Sequence, residues 1–183
     1  MRKNLLLTSA LGLLISFSSC DKVKDALEKD VNIPTTVEFT IGQIGVGAAQ
    51  NIGEFEVKYN LDSAVKANAP SLSADNVKSI KLKGFKIELL EGHDADNNFQ
   101  NFKSIYAEVS AEGLQLRKLV EISNYSSPTP VYSLTIPVTG GGIELKEYLN
   151  KKFKYSVKGE TSKAITKQVK AKVKAEYEFT IGL

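Results

Sequence analysis

Residues 169–181 read VKAKVKAEYEFTI, and this stretch decides the fold class. Val169, Ala171, Val173, Ala175, Tyr177, Phe179 and Ile181 take every second position, with Lys170, Lys172, Lys174, Glu176, Glu178 and Thr180 between them. Strand side chains alternate between two faces, so one face of such a segment is apolar and the other charged. A helix of the same sequence would spread its lysines around the whole circumference. The pattern predicts a long strand buried on one side, and a register slip of one is excluded because it would bury the ammonium groups.

The same period runs back through the chain. Val37, Phe39 and Ile41 alternate with Glu38 and Thr40, and Phe55, Val57, Tyr59 and Leu61 with Glu56, Lys58 and Asn60. Ile80 and Leu82 are followed by Phe85, Ile87 and Leu89, with the parity slipping by one at Gly84, where a bulge belongs. Further strands are expected at Ile105–Val109, Leu119–Ile122, Leu134–Val138 and Phe153–Val157. A short helix is expected at Ile143–Asn150, where Leu145 and Leu149 share a face. About eight strands with short connections leave little room for crossover helices. The expected fold is all-β, an antiparallel immunoglobulin-like β-sandwich with one short helix, and a lipocalin-like barrel is the alternative. EFTIG occurs at 38–42 and again at 178–182, which implies equivalent environments for the first and last strands.

Composition bounds the chemistry. The chain has 183 residues with one Cys, one His and no Trp, so it cannot build a disulfide framework, a Cys/His zinc site or a Cys–His nucleophile pair by itself. No cofactor is expected. Residues 21–145 carry 12 basic and 17 acidic side chains, while residues 146–183 carry 10 lysines and 4 glutamates.

The N-terminus reads as an address. Met1-Arg2-Lys3 is basic, Leu5–Phe17 carries no charge, and Phe17-Ser18-Ser19-Cys20 places small residues before the only cysteine. The apolar run is too short to span a bilayer, which takes ~20 residues, and fits the core of a signal peptide. Phe17–Cys20 resembles the lipobox of bacterial lipoproteins, with Phe17 where Leu is commoner. That resemblance implies cleavage before Cys20, acylation of Cys20, export, and anchoring to the cell membrane or the outer membrane. Asp21 resembles an inner-membrane retention signal that only some bacterial groups use, so the choice of membrane stays open. The chain divides into a signal peptide (1–19), a lipidated cysteine and tether (20–34) and a β-sandwich domain (35–183). The segments at 80–90, 101–114, 134–149 and 153–162 are similar to those of small bacterial lipoproteins with a β-sandwich domain. This resemblance implies fold and anchoring, with no activity attached.

Several segments could carry a site. Asp94, Asp96 and Asn98 place oxygens at alternate positions, as an ion-binding loop does. Phe99 and Ile105 stand where a calcium loop has its Gly and bidentate Glu, and Asp/Asn-rich turns also form for local reasons. His93 reads as an exposed loop residue. Thr139–Gly142 lies between strand and helix like a phosphate loop but lacks the Lys-Ser/Thr, and Glu144 follows. Ser123–Pro130 is an exposed loop with Tyr125, and Tyr106, Tyr132 and Tyr148 could join it in stacking on a sugar. Lys170, Lys172 and Lys174 share a strand face that could meet an anionic surface, although lysines on an edge strand also serve to block aggregation. The functional expectation is a membrane-anchored, non-catalytic module binding an envelope protein or glycan. It is expected to be a monomer without nucleic-acid contacts. An envelope hydrolase using a carboxylate pair among Glu54, Glu56, Glu88 and Glu91, or a carrier of an apolar ligand, are the alternatives.

Overall fold

A computed structural model describes residues 28–57 and 60–182. Cys20, the leader, most of the tether and Tyr59 lie outside the described residues. The strands are β1 (Lys29–Ile41), β2 (Gly47–Val57), β3 (Val77–Glu91), β4 (Phe102–Ala111), β5 (Arg117–Ile122), β6 (Ser133–Thr135), β7 (Ile143–Glu144), β8 (Phe153–Thr161) and β9 (Val169–Ile181). Among the described residues two α-helices accompany them, α1 (Leu61–Asn68) and α2 (Lys146–Leu149).

The fold is an all-β antiparallel sandwich. One sheet has the order β1-β9-β3-β6, with β7 also paired to β3; the other has the order β2-β8-β4-β5. The pairs β1/β9, β2/β8, β3/β6–β7 and β4/β5 nest inside one another, as in a single long hairpin. The pairs β9/β3 and β8/β4 then roll that hairpin into two sheets. Within the expected class this path is a jelly roll, five strands facing four with β6 and β7 both on β3, where an immunoglobulin domain sets four against three. No closed barrel forms among the described strands. The space a barrel lumen would occupy is filled by Phe85, Phe99, Phe102, Phe153, Tyr155, Tyr177 and Phe179, all fully buried.

The strand Val169–Ile181 has the predicted facing, with every odd-numbered side chain buried. Gly84 marks a register shift between Leu82 and Gly84, as its parity slip implies. Across the middle of the core the hydroxyls of Tyr155 (β8) and Tyr177 (β9) hydrogen-bond to one another. Burial, then the neighbouring Tyr177 hydroxyl, pushes Tyr155 well above the ordinary phenol range.

Four local expectations are corrected. Lys29–Pro34, assigned to the tether, already belong to β1 and pair residue by residue with β9. Pro34 is accommodated because β1 is an edge strand, one side of whose backbone has no ladder to complete. Leu61 does not extend β2; it opens α1, where Asn60 caps the Ser63 N–H at 2.9 Å and Leu61 and Val65 are buried one turn apart. The helix expected at 143–150 is shorter, because Ile143 and Glu144 pair with Leu82 and Lys81 as β7 before α2 begins. The two EFTIG copies share an in–out demand but not an environment: β1 is an edge and β9 lies between two strands.

The register also gives the sandwich two distinct ends. Lys29, Val77 and Ile181 align at one, together with α1, α2 and the β4–β5 turn. The other, remote from the start of β1, gathers the connections at 42–46, 92–101, 123–132 and 162–168.

Candidate binding face

The remote end is built on three buried asparagines in the segment DADNNFQNF (94–102). The Asn97 side chain accepts from Thr166 N at 2.8 Å and Thr166 Oγ1 at 3.1 Å. Asn98 Oδ1 accepts from Gln100 N at 2.9 Å and Val131 N at 3.1 Å, while its Nδ2 donates to the carbonyls of Asp94 and Ala95 at 3.0 and 2.9 Å. Asn101 Nδ2 donates to the carbonyls of Asp96 and Ala164 at 2.7 and 2.9 Å. Each asparagine thereby ties this loop to the chain on either side, and Phe99 and Phe102 lock the loop into the core. Gln100 Nε2 donates to the Ser127 carbonyl at 2.9 Å, and Thr161 Oγ1 to the Gly45 carbonyl at 2.7 Å, which fastens the remaining connections.

Asp94, Asp96 and Asn98 are therefore in one loop, but their oxygens face different tasks. Asp94 Oδ1 accepts from Asp96 N, Asn97 N and Asn97 Nδ2 at 2.8–2.9 Å, and Oδ2 pairs with Lys167. The hydrogen bonds from Lys167 and Asn97 hold its carboxyl well below the usual carboxylate range. Asn98 is turned into the protein, and Asp96 is exposed. Among the described residues no three His, Cys, Asp or Glu side chains gather as a metal site.

The surface over this frame is mixed. Tyr132 is 39% exposed and lies against His93 with ring centroids 4.5 Å apart, and Val46 is 64% exposed. Tyr125 is half-buried, its N–H bonded to the Lys103 carbonyl at 2.7 Å. The other tyrosines are elsewhere. Tyr106 lies on the outer face of the second sheet beneath Lys118 and Lys158, and Tyr148 is buried with its hydroxyl donating to the Gln115 carbonyl at 2.6 Å. Sequence reasoning missed the anchoring role of Asn97 and left out Asn101; the available signal was Asn-Phe occurring twice, at 98–99 and 101–102, in so short a turn.

The charged candidates are absorbed into ladders. Lys172 is in register with Glu38 on β1 and Glu88 on β3, and pairs with Glu88 at 2.9 Å. Lys170 pairs with Glu91 at 3.2 Å and Lys174 with Glu176 at 2.9 Å. Hydrogen bonds from Lys86 and Lys172 lower the Glu88 pKa to about 2. The lysine face is thus a neutralised outer surface, and β9 is an interior strand, so an edge-protecting role does not apply to it. Glu54 and Glu56 stand on the second sheet, where Glu54 pairs with Lys154, while Glu88 and Glu91 stand on the first and pair with Lys172 and Lys170, so the four are split between the two sheets. Glu144, after the glycine turn, receives Ser79 Oγ, Ile80 N at 3.0 Å and Lys146 N at 2.9 Å. Burial raises its carboxyl, but these bonds outweigh that and leave it below its ordinary value. It ties β7 to β3.

No family model matches the chain, and no curated protein is found to be similar to it. The solved structures that the chain matches are of viruses and capsid proteins. A structure of Desmodium yellow mottle tymovirus is 11% identical with a TM-score of 0.28, covering 99% of this chain and 96% of that one. The decameric BFDV capsid protein is 13% identical with a TM-score of 0.32, covering 83% and 99%. The Israel acute paralysis virus pentamer is 11% identical with a TM-score of 0.32, covering 100% and 93%. At these scores the likeness carries no argument about what the chain does, and the fold rests on its own strand register.

Proposed function

We propose that the chain is a lipid-anchored lipoprotein of the bacterial cell envelope, acylated at Cys20, whose sandwich is a non-catalytic module presenting its remote loop face to an envelope protein or glycan. The observation that carries this reading is the polarity of the domain. A chain anchored at Cys20 enters β1 at Lys29, and β1 then runs 13 residues to the opposite end. At a rise of ~3.3 Å per residue, that sets the loop face roughly 40 Å beyond the point of entry. The asparagine frame supports the reading further, because it holds Tyr132, His93 and the 123–130 loop in one arrangement and lowers the ordering cost of binding.

Two measurements test it. Fatty-acid labelling of cells should mark the protein and be lost in Cys20→Ala; labelling that persists in the variant removes the anchor. A photo-reactive residue placed at Tyr132 should cross-link an envelope component in intact cells, and one placed at Glu121, on the outer sheet face, should not. Equal yields from both positions would remove the binding face.

A further inference from the structure

The end nearest the start of β1 has its own character. Leu116, in the β4–β5 turn, is 58% exposed. Its exposure is held in place by the surrounding structure. The Tyr148 hydroxyl donates to the Gln115 carbonyl at 2.6 Å, the Arg117 guanidinium to the Glu144 carbonyl at 3.1 Å, and Lys151 Nζ to the Glu112 carbonyl at 2.9 Å. Leu114 packs inward against the core. The turn is thereby pinned to the α2 segment, and Leu116 is left standing out.

The two segments joined here are rich in cations. Residues 112–118 and 145–154 contain six basic and two acidic side chains. Lys118 and Lys154 have acidic partners in Glu121 and Glu54, whereas Arg117, Lys146, Lys151 and Lys152 make no ion pair among the described residues. This contrasts with Lys170, Lys172 and Lys174, each of which has a glutamate. Only residues 21–28 separate Cys20 from β1. Fully extended, such a stretch reaches at most about 29 Å.

We propose that this end is a seat for anionic lipid headgroups of the same bilayer that holds Cys20. Leu116 enters the headgroup layer, and Arg117, Lys146, Lys151 and Lys152 lie against the phosphates. The inference rests on the lipid-anchor reading. An apolar tip in segments that carry unneutralised cations, at the end where a short tether must arrive, is complementary to such a surface in charge and position. Each of these cations contributes roughly fivefold to the docked population near an anionic surface. Seating this end stands the sandwich upright and turns the loop face away from the membrane.

The test uses the full-length acylated protein reconstituted in phosphatidylglycerol vesicles and, separately, in phosphatidylcholine vesicles. Flotation reports anchoring, and amide hydrogen exchange at 114–117 and 150–152 reports seating. Exchange there should be slower in phosphatidylglycerol, recover in high salt, and be unprotected in Lys146→Glu/Lys152→Glu and in Leu116→Ser, while all variants still float. Protein that floats with equal exchange in both lipids overturns the seat and leaves the anchor standing. Protein that fails to float with either lipid overturns both.

Discussion

Removing the Asn98 side chain should loosen the whole remote end. It makes four hydrogen bonds and is almost wholly buried, at 1% exposure. In Asn98→Ala the N–H groups of Gln100 and Val131 lose their acceptor, and a buried unsatisfied donor costs ~1–3 kcal/mol. The Asp94 and Ala95 carbonyls lie nearer the surface, can be rehydrated and add less. The expected loss is therefore about 2–4 kcal/mol. With urea m-values of ~1–3 kcal/mol/M, that lowers the midpoint by on the order of 1–3 M in a melt followed by circular dichroism. Asn98→Asp keeps the acceptor but turns a carboxylate oxygen toward two carbonyls. The native state then favours the protonated form, so the pKa of the introduced carboxyl lies above its unfolded value of ~3.9. Its deficit is full at neutral pH and shrinks as pH falls through that raised value toward ~4. A midpoint for Asn98→Ala within error of the parent, with unchanged amide protection at 92–101 and 128–132, would refute the view that this residue organises the face.

Further outcomes follow from the same geometry. Val173→Asp places a charge on the buried side of an interior strand and should abolish the cooperative melt. Lys172→Glu would align three carboxylates across β1, β9 and β3, so its midpoint should drop in low salt and recover in high salt, as paired melts will show. Glu88, with a pKa of about 2 against an ordinary 4.5, adds stability that is full above the unfolded value and lost as pH falls through 2; carboxyl NMR titration reads it directly. Gly92→Ala should cost more than ~1 kcal/mol in a urea melt, because φ is +79° and a Cβ would lie 2.4 Å from the Gln168 carbonyl.

The strands were legible because each carries its own facing. From Val77 to Glu91 even the parity slip at Gly84 was readable, since a bulge shifts the apolar set by one. The path between strands was not, because alternation reports which side is buried and says nothing of which strand lies alongside. That is why the lysines of Val169–Ile181 suggested an edge, whereas the register places them between two strands. α1 was hidden because Leu61 continues an alternating run while also beginning an i,i+4 pair with Val65, and Asn60 as cap decides between the two. The loop face was half legible: Asn98 stood out as a possible ligand, yet its function is to join segments that are distant in sequence, which spacing alone does not reveal.

The pairing of the first strand with the last bears on mechanical load. If the anchor holds the chain below Lys29 while a partner tugs on the loops at the opposite end, the force runs along β1 itself. Every rung of the β1/β9 ladder, from Lys29↔Ile181 to Ile41↔Val169, then resists together in shear. Dragged from the side, the same rungs would give way in succession, as a zip opens. The geometry suits a module that stays folded when it is loaded between the start of its first strand and the loops at the opposite end.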